Sequence, residues 1–133
     1  MVKEQPIPLR KVLNPEAIEN MREVMDQVYM EEKLKDYILN LINSTRHPER
    51  YPRLNDLKGL IEFGASPRAT IFLARAAKAN AYISGRAYVI PDDIKAVARD
   101  VLRHRIILSY EAEAEEITSE DIINRILDEI EVP

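Results

Sequence analysis

Arginine is the side chain in this sequence best suited to work on a phosphate, because its planar fork makes paired hydrogen bonds and keeps its charge. Arg68 follows Ser66-Pro67 directly and precedes a long alanine-rich stretch. Ser66 is a good N-cap and Pro67 fits the first helical position, so Arg68 falls in a helix's first turn, close to backbone amide donors and the positive dipole end. Pro67 itself supplies no donor. On spacing alone the favoured reading of Arg68 is a surface arginine paired to a nearby carboxylate. Arg75, seven residues on, shares its angular position two turns along, about 10 Å away. It reads as a salt-bridge partner of the acidic tail or the first helix. Arg103, His104 and Arg105 form a compact basic cluster, expected to pack and to pair with Glu111, Glu113 or Glu115. No nucleophile or carboxylate partner that would make His104 a catalytic base is evident.

Other chemistries are excluded more easily. Cysteine is absent and the two histidines, His47 and His104, lie far apart, so no metal site is expected. Three glycines, none at the spacing of a phosphate-cradling loop, make a complete nucleotide-hydrolysing or dinucleotide-binding machine unexpected within the chain. With 133 residues, 46% hydrophobic and 32% charged, the chain has the composition of one folded domain or one piece of a larger protein. It has no apolar run long enough for a membrane span and no apolar core of the signal-peptide type in residues 1–10. The net charge of −4 is unevenly spread: residues 67–110 carry 8 basic and 3 acidic residues, and residues 111–133 carry 1 basic and 9 acidic. Mutual neutralisation of the two segments is the favoured explanation, and an anionic ligand facing the basic one is the alternative.

The elements that must position these residues are helical. Residues 1–13, with Pro6 and Pro8, read as an extended linker. Asn14 caps and Pro15 opens a first helix carrying Ile18, Met21, Met25 and Val28. A second runs from about Glu31 to Arg46, with Leu34, Tyr37, Ile38, Leu41 and Ile42 on one face. His47 to Phe63 is a connector rich in both turn formers and leucines, expected to pack on the body with one short helical turn. A third, alanine-rich helix from Pro67 to about Ser84 ends at Gly85. A fourth follows Pro91, with Asp92 and Asp93 in its first turn. His104 to Leu108 reads as either its extension or a short strand, and Val28–Met30 and Arg86–Ile90 as brief extended pieces. Glu111 to Glu116 reads as a polar link. The last helix starts at Thr118, with Asp121 completing a weak capping box. The fold class is therefore all-α: a five-helix bundle over residues 14–133, with room for one short extended pair.

The block Gly-Ala-Ser-Pro-Arg-Ala, residues 64–69, resembles the sensor 2 motif of the MoxR family of AAA+ ATPases. Ala87-Tyr88-Val89-Ile90-Pro91-Asp92-Asp93, the stretch Val101 to Arg105 with Tyr110 to Glu115, and the ending Thr118 to Pro133 resemble further blocks of that family in the same order. The resemblance covers about residues 7–133. In such proteins a nucleotide-binding α/β core is followed by a helical lid, and this chain looks like the lid alone. The resemblance implies an ATPase core before residue 1, Met1 marking a cut in a longer protein, and residues 1–13 as the linker from that core.

The resemblance also implies that Arg68 contacts the phosphates of ATP and supports hydrolysis, with Ser66 and Pro67 fixing where its helix begins. ATP and Mg²⁺ belong to the whole protein, and neither is expected to bind tightly to this chain by itself; the chain alone is expected not to be an enzyme. The implied partners are the chain's own N-terminal core, neighbouring subunits of a ring and a von Willebrand factor A domain protein, in a chaperone-like role in the cytoplasm. Arg75 gains a neighbouring subunit as an alternative contact. Tyr37 and Tyr82 are read as core residues with hydrogen-bonded hydroxyls rather than adenine platforms. Two other readings stay open beside the lid. One is a helical protein-interaction module without nucleotide contact, for which the acidic link 111–116 offers a surface. The other is a nucleic-acid-binding module using the basic stretch, against which stand the sequence pI of 5.3 and the acidic tail.

Overall fold

A computed structural model describes residues 2–133. Residues 2–13 carry no regular secondary structure and lie exposed. Helix α1 (Pro15–Asp26) begins where Asn14 accepts from the Ala17 amide at 2.7 Å, with Pro15 behind the cap. It buries none of its residues fully. Helix α2 (Glu32–Arg46) buries the face that its periodicity marks out: Leu34, Tyr37, Ile38, Leu41 and Ile42.

Helix α3 (Ala69–Ile83) lies centrally. Its buried stripe is Ala69, Leu73, Ala77 and Ala81, one residue per turn and mostly methyl groups, and its most extensive packing is against helix α4 (Pro91–Leu102). Small side chains let the two axes approach closely, and α4 answers with Ile94, Ala98 and Leu102. At its end Gly85 takes φ of 79°, while the amides of Gly85 and Arg86 return to the carbonyls of Tyr82 and Ala81. Helix α6 (Ser119–Glu129) closes the core with Ile122, Ile123, Ile126 and Leu127. Its capping box is complete: Thr118 Oγ1 accepts from the Asp121 amide at 3.1 Å, and Asp121 accepts from the Thr118 amide at 2.9 Å.

The extended pieces pair over long sequence distances. Strand β1 (Ile61–Phe63) runs antiparallel to β2 (Ile107–Leu108), so the segment after α4 turns into a strand. Tyr29 bridges to Tyr88 in parallel, its amide donating to Ala87 and its carbonyl accepting from Val89, both at 2.9 Å. The connector holds two short 3-10 turns, Pro48–Arg50 and Asn55–Gly59, and buries Leu54, Leu57 and Leu60. The polar link contains a sixth helix, α5 (Tyr110–Ala114), which Ser109 caps by accepting from the Ala112 amide. The architecture is thus all-α with one short extended pair. No helix among the described residues is long and apolar enough to cross a membrane.

Three expectations about side chains need correction. The Ser66 hydroxyl makes no capping bond, and regular helix begins at Ala69; backbone bonds from Ala69 to Ser66 and from Thr70 to Pro67 make the turn before it. The Tyr37 hydroxyl is buried without a partner, and that burial raises its pKa above the usual phenol value. Arg103 pairs with Asp100 at 3.2 Å and with Glu120, not with Glu111, Glu113 or Glu115, because α6 rather than the acidic link packs against α4 there.

Candidate functional site

The turn Gly64–Ala69 sits where β1, the end of α2 and the start of α3 meet. Ala65 and Ala69 are fully buried, while Ser66, Pro67 and Arg68 between them are exposed. Ala65 fills its site with both polar groups occupied: its amide donates to Thr45 Oγ1 at 2.9 Å, and its carbonyl accepts from Arg46 Nη1 at 3.3 Å. A methyl at Gly64 would overlap the Thr45 carbonyl and come within 2.7 Å of the Arg46 nitrogen, so the chain passes α2 at a distance only glycine allows. On the far side the Thr70 hydroxyl donates to the Pro67 carbonyl at 2.6 Å. The backbone under Arg68 is therefore fixed, while its side chain is exposed.

Several arginines are held by partners within the chain, whereas among the described residues Arg10, Arg50 and Arg75, like Arg68, have none. Arg86 makes a bidentate pair with Asp93 at 2.5 and 2.6 Å, Arg125 one with Asp56 at 3.0 Å, and Arg99 donates to Asn124 at 2.6 Å. Arg105 lies over the Phe72 ring at 4.7 Å from its centroid, donates to the Val101 carbonyl at 2.6 Å and meets His104 Nε2. Phe72 is one turn beyond Arg68 on the same face of α3. Among the described residues Arg68 has neither an ion pair nor a side-chain hydrogen bond. Arg75 has no ion pair either: it lines a cleft of about 440 Å³ between α1 and α3, with Glu19, Glu23 and Asp26 across from it. The basic stretch thus divides: Arg86, Arg99, Arg103 and Arg105 are tied into the body, while Arg68 is exposed without a partner and Arg75 lines the α1–α3 cleft. Tyr82 packs against the core, part-buried.

A free guanidinium at the head of a helix suits a phosphate brought from outside. Among the described residues no three acidic or histidine side chains gather in a way that could hold a metal ion. Sequence reasoning singled out Arg68 but not Thr45 and Arg46, which hold its turn from 20 and 19 residues away from Ala65. The available signal was slight: two polar residues closing an otherwise apolar-faced helix. It also missed the pairing of Arg86 with Asp93. Burial by itself would push that carboxyl up, but hydrogen bonds from Arg86, the Ile90 amide and Asn80 outweigh it and hold Asp93 below the usual carboxylate value.

Comparison with known proteins points one way. Residues 56–126 match a family model described as the AAA lid domain. The chain is 39% identical over 124 residues to the chaperone MoxR1 of Mycobacterium tuberculosis, covering 93% of this chain and 33% of that protein. It is 38% identical over 76 residues to the protein MoxR of Methylorubrum extorquens, covering 56% of this chain and 22% of that one. A crystal structure of a candidate ATPase from Cytophaga hutchinsonii superposes with a TM-score of 0.85 at 44% identity, over 89% of this chain and 36% of the other. The chain spans about a third of the length of the curated relatives that it matches along most of its own length.

Proposed function

The chain belongs to the AAA lid domain family, and we propose that it serves as the lid of a MoxR-type AAA+ ATPase, with Arg68 as its contact to the phosphates of ATP held by a core outside these residues. One observation carries the reading: Arg68 is exposed and without an acidic partner, on a turn whose backbone is fixed at both ends. The paired-carboxylate alternative that spacing favours finds no carboxylate here.

ATP supplies the γ-phosphate on which charge builds during transfer. What the chain adds is a cation whose distance from that phosphate depends on how the lid sits. Closure brings the guanidinium within reach of phosphate oxygens, and opening withdraws it. Ser66 and Pro67 set the start of the turn, Pro67 through its fixed φ. On this reading Mg²⁺ belongs with ATP in the core. The partners on this reading are that core and neighbouring subunits, with Arg75, in the cleft between α1 and α3, as a contact to a neighbouring subunit. A von Willebrand factor A domain protein and a cytoplasmic chaperone-like role extend the same proposal.

The test is ATP turnover of a protein that carries the chain together with its ATP-binding core. Charge-assisted hydrogen bonds are worth roughly 1.5–3 kcal/mol each, so Arg68→Ala is expected to slow turnover roughly ten- to hundred-fold. Arg68→Lys keeps the charge but loses the fork, and falls between. Turnover and ATP affinity both unchanged in Arg68→Ala would end the proposal.

A further inference from the structure

Resting on the reading of Arg68 just given, we propose that Thr45 is the positioning residue of that arginine: it sets where the Arg68 turn stands, although it lies outside the residues 56–126 that match the family model. Thr45 is buried in the last turn of α2. Its hydroxyl hydrogen is committed, because Oγ1 donates to the Ile42 carbonyl at 2.7 Å. That bond orients the oxygen, and one of its lone pairs accepts the Ala65 amide at 2.9 Å. Arg46, the next residue, takes the Ala65 carbonyl. Consecutive residues of one helix thus grip both polar groups of a single residue in the turn, and the Gly64 backbone rests on the Thr45 carbonyl.

The consequence for Arg68 is geometric. Ala65 is tied to α2, and Ala69 is locked in the buried stripe of α3. Three exposed residues span those fixed points, one of them a proline. The turn has little freedom of its own, so the end of α2 determines where the guanidinium starts. Ser44 supplies an internal contrast. Its hydroxyl is buried as well, but it donates to the Leu41 carbonyl at 2.7 Å, within its own helix, and takes no part in the grip.

The test uses the same protein with its core. Thr45→Val keeps the shape and removes the acceptor; it is expected to lower kcat for ATP about ten-fold with KM little changed, since small misplacements of a contact group cost rate. Thr45→Ser restores the acceptor and is expected to keep kcat within about two-fold, as is Ser44→Ala. In an Arg68→Ala background Thr45→Val should cost nothing further, because the group it positions is gone. An unchanged kcat in Thr45→Val, or an additive loss in the double variant, overturns the positioning role while a slow Arg68→Ala leaves the lid reading standing. An Arg68→Ala without effect removes the reading and this inference together. Amide hydrogen exchange of the unsubstituted protein needs no variant to fold: the Ala65 amide is expected to be protected like the interior of α2, and exchange as fast as an exposed loop amide overturns the inference.

Discussion

Arg68 and Arg86 flank α3, one at each end, and the molecule treats them in opposite ways. Arg86 folds back onto α4, where its fork meets an Asp93 carboxylate that is 1% exposed. That carboxylate also takes the Ile90 amide at 2.8 Å and the Asn80 side chain at 2.8 Å. Every lone pair finds a donor, and the pair ties the end of α3, the extended piece 86–90 and the start of α4 into one unit. At the other end the backbone is gripped as well, but the side chain is left outside the network. A guanidinium enclosed with its carboxylate serves the fold, whereas one held out on a rigid turn is available to something else.

The sharpest way to break this comparison is at Asp93. Asp93→Ala leaves Arg86, Asn80 and the Ile90 amide without their acceptor. Breaking a buried pair costs about 3–5 kcal/mol. The lower end, about 3 kcal/mol, applies here, because the Arg86 side chain is 25% exposed and can turn to water. Urea unfolding checks this through the midpoint at unchanged slope. The same carboxylate predicts acid sensitivity. Its pKa in the folded chain is depressed, so its contribution is complete above the unfolded value, near 4, and is lost as pH falls further. Asp93→Asn should flatten that part of the acid limb; a limb of unchanged steepness would assign the loss to other carboxylates.

What the sequence discloses separates along the same line. Features set within a turn or two were legible: the Asn14 cap ahead of Pro15, the Thr118 box with Asp121, Gly85 after the alanine helix, and the apolar face of α2 from Leu34 to Ile42. Their partners sit three to four residues apart, where helix geometry alone dictates contact. Contacts that depend on how helices pack were not. Neither the Thr45 grip on Ala65 nor the union of β1 with β2 follows from periodicity, since the strands have three and two residues and lie far apart in the chain. Helix α5 escaped because Glu-Ala-Glu-Ala has no apolar period to mark it. Arg68 was legible as a position, but spacing alone gave it a carboxylate that the structure does not supply.

Gly64→Ala probes the rigid end of the comparison from the backbone side. The added methyl would overlap the Thr45 carbonyl, and a helix backbone cannot step aside as a side-chain tip can. Overpacking of this kind costs about 1–3 kcal/mol. The loss should appear in thermal unfolding, and the Ala65 amide should lose protection at the same time. A Gly64→Ala protein as stable as the parent would mean that the turn has slack, and a turn with slack would not hold Arg68 in one place.

The smallest effect on stability is expected at Arg68 itself, and its smallness is informative. Truncating an exposed side chain with no bond to the rest of the protein changes stability by no more than about 0.5 kcal/mol. The backbone bonds of the turn, from Ala69 to Ser66 and from Thr70 to Pro67, do not involve the guanidinium and should survive. Arg68→Ala should therefore unfold in urea like the parent while Asp93→Ala unfolds early. A marked loss of stability in Arg68→Ala would reveal a partner within the chain and make Arg68 a second structural arginine like Arg86. Parent-like unfolding combined with slowed ATP turnover would place the whole effect of this side chain outside its own domain, as a contact made only when something docks against it.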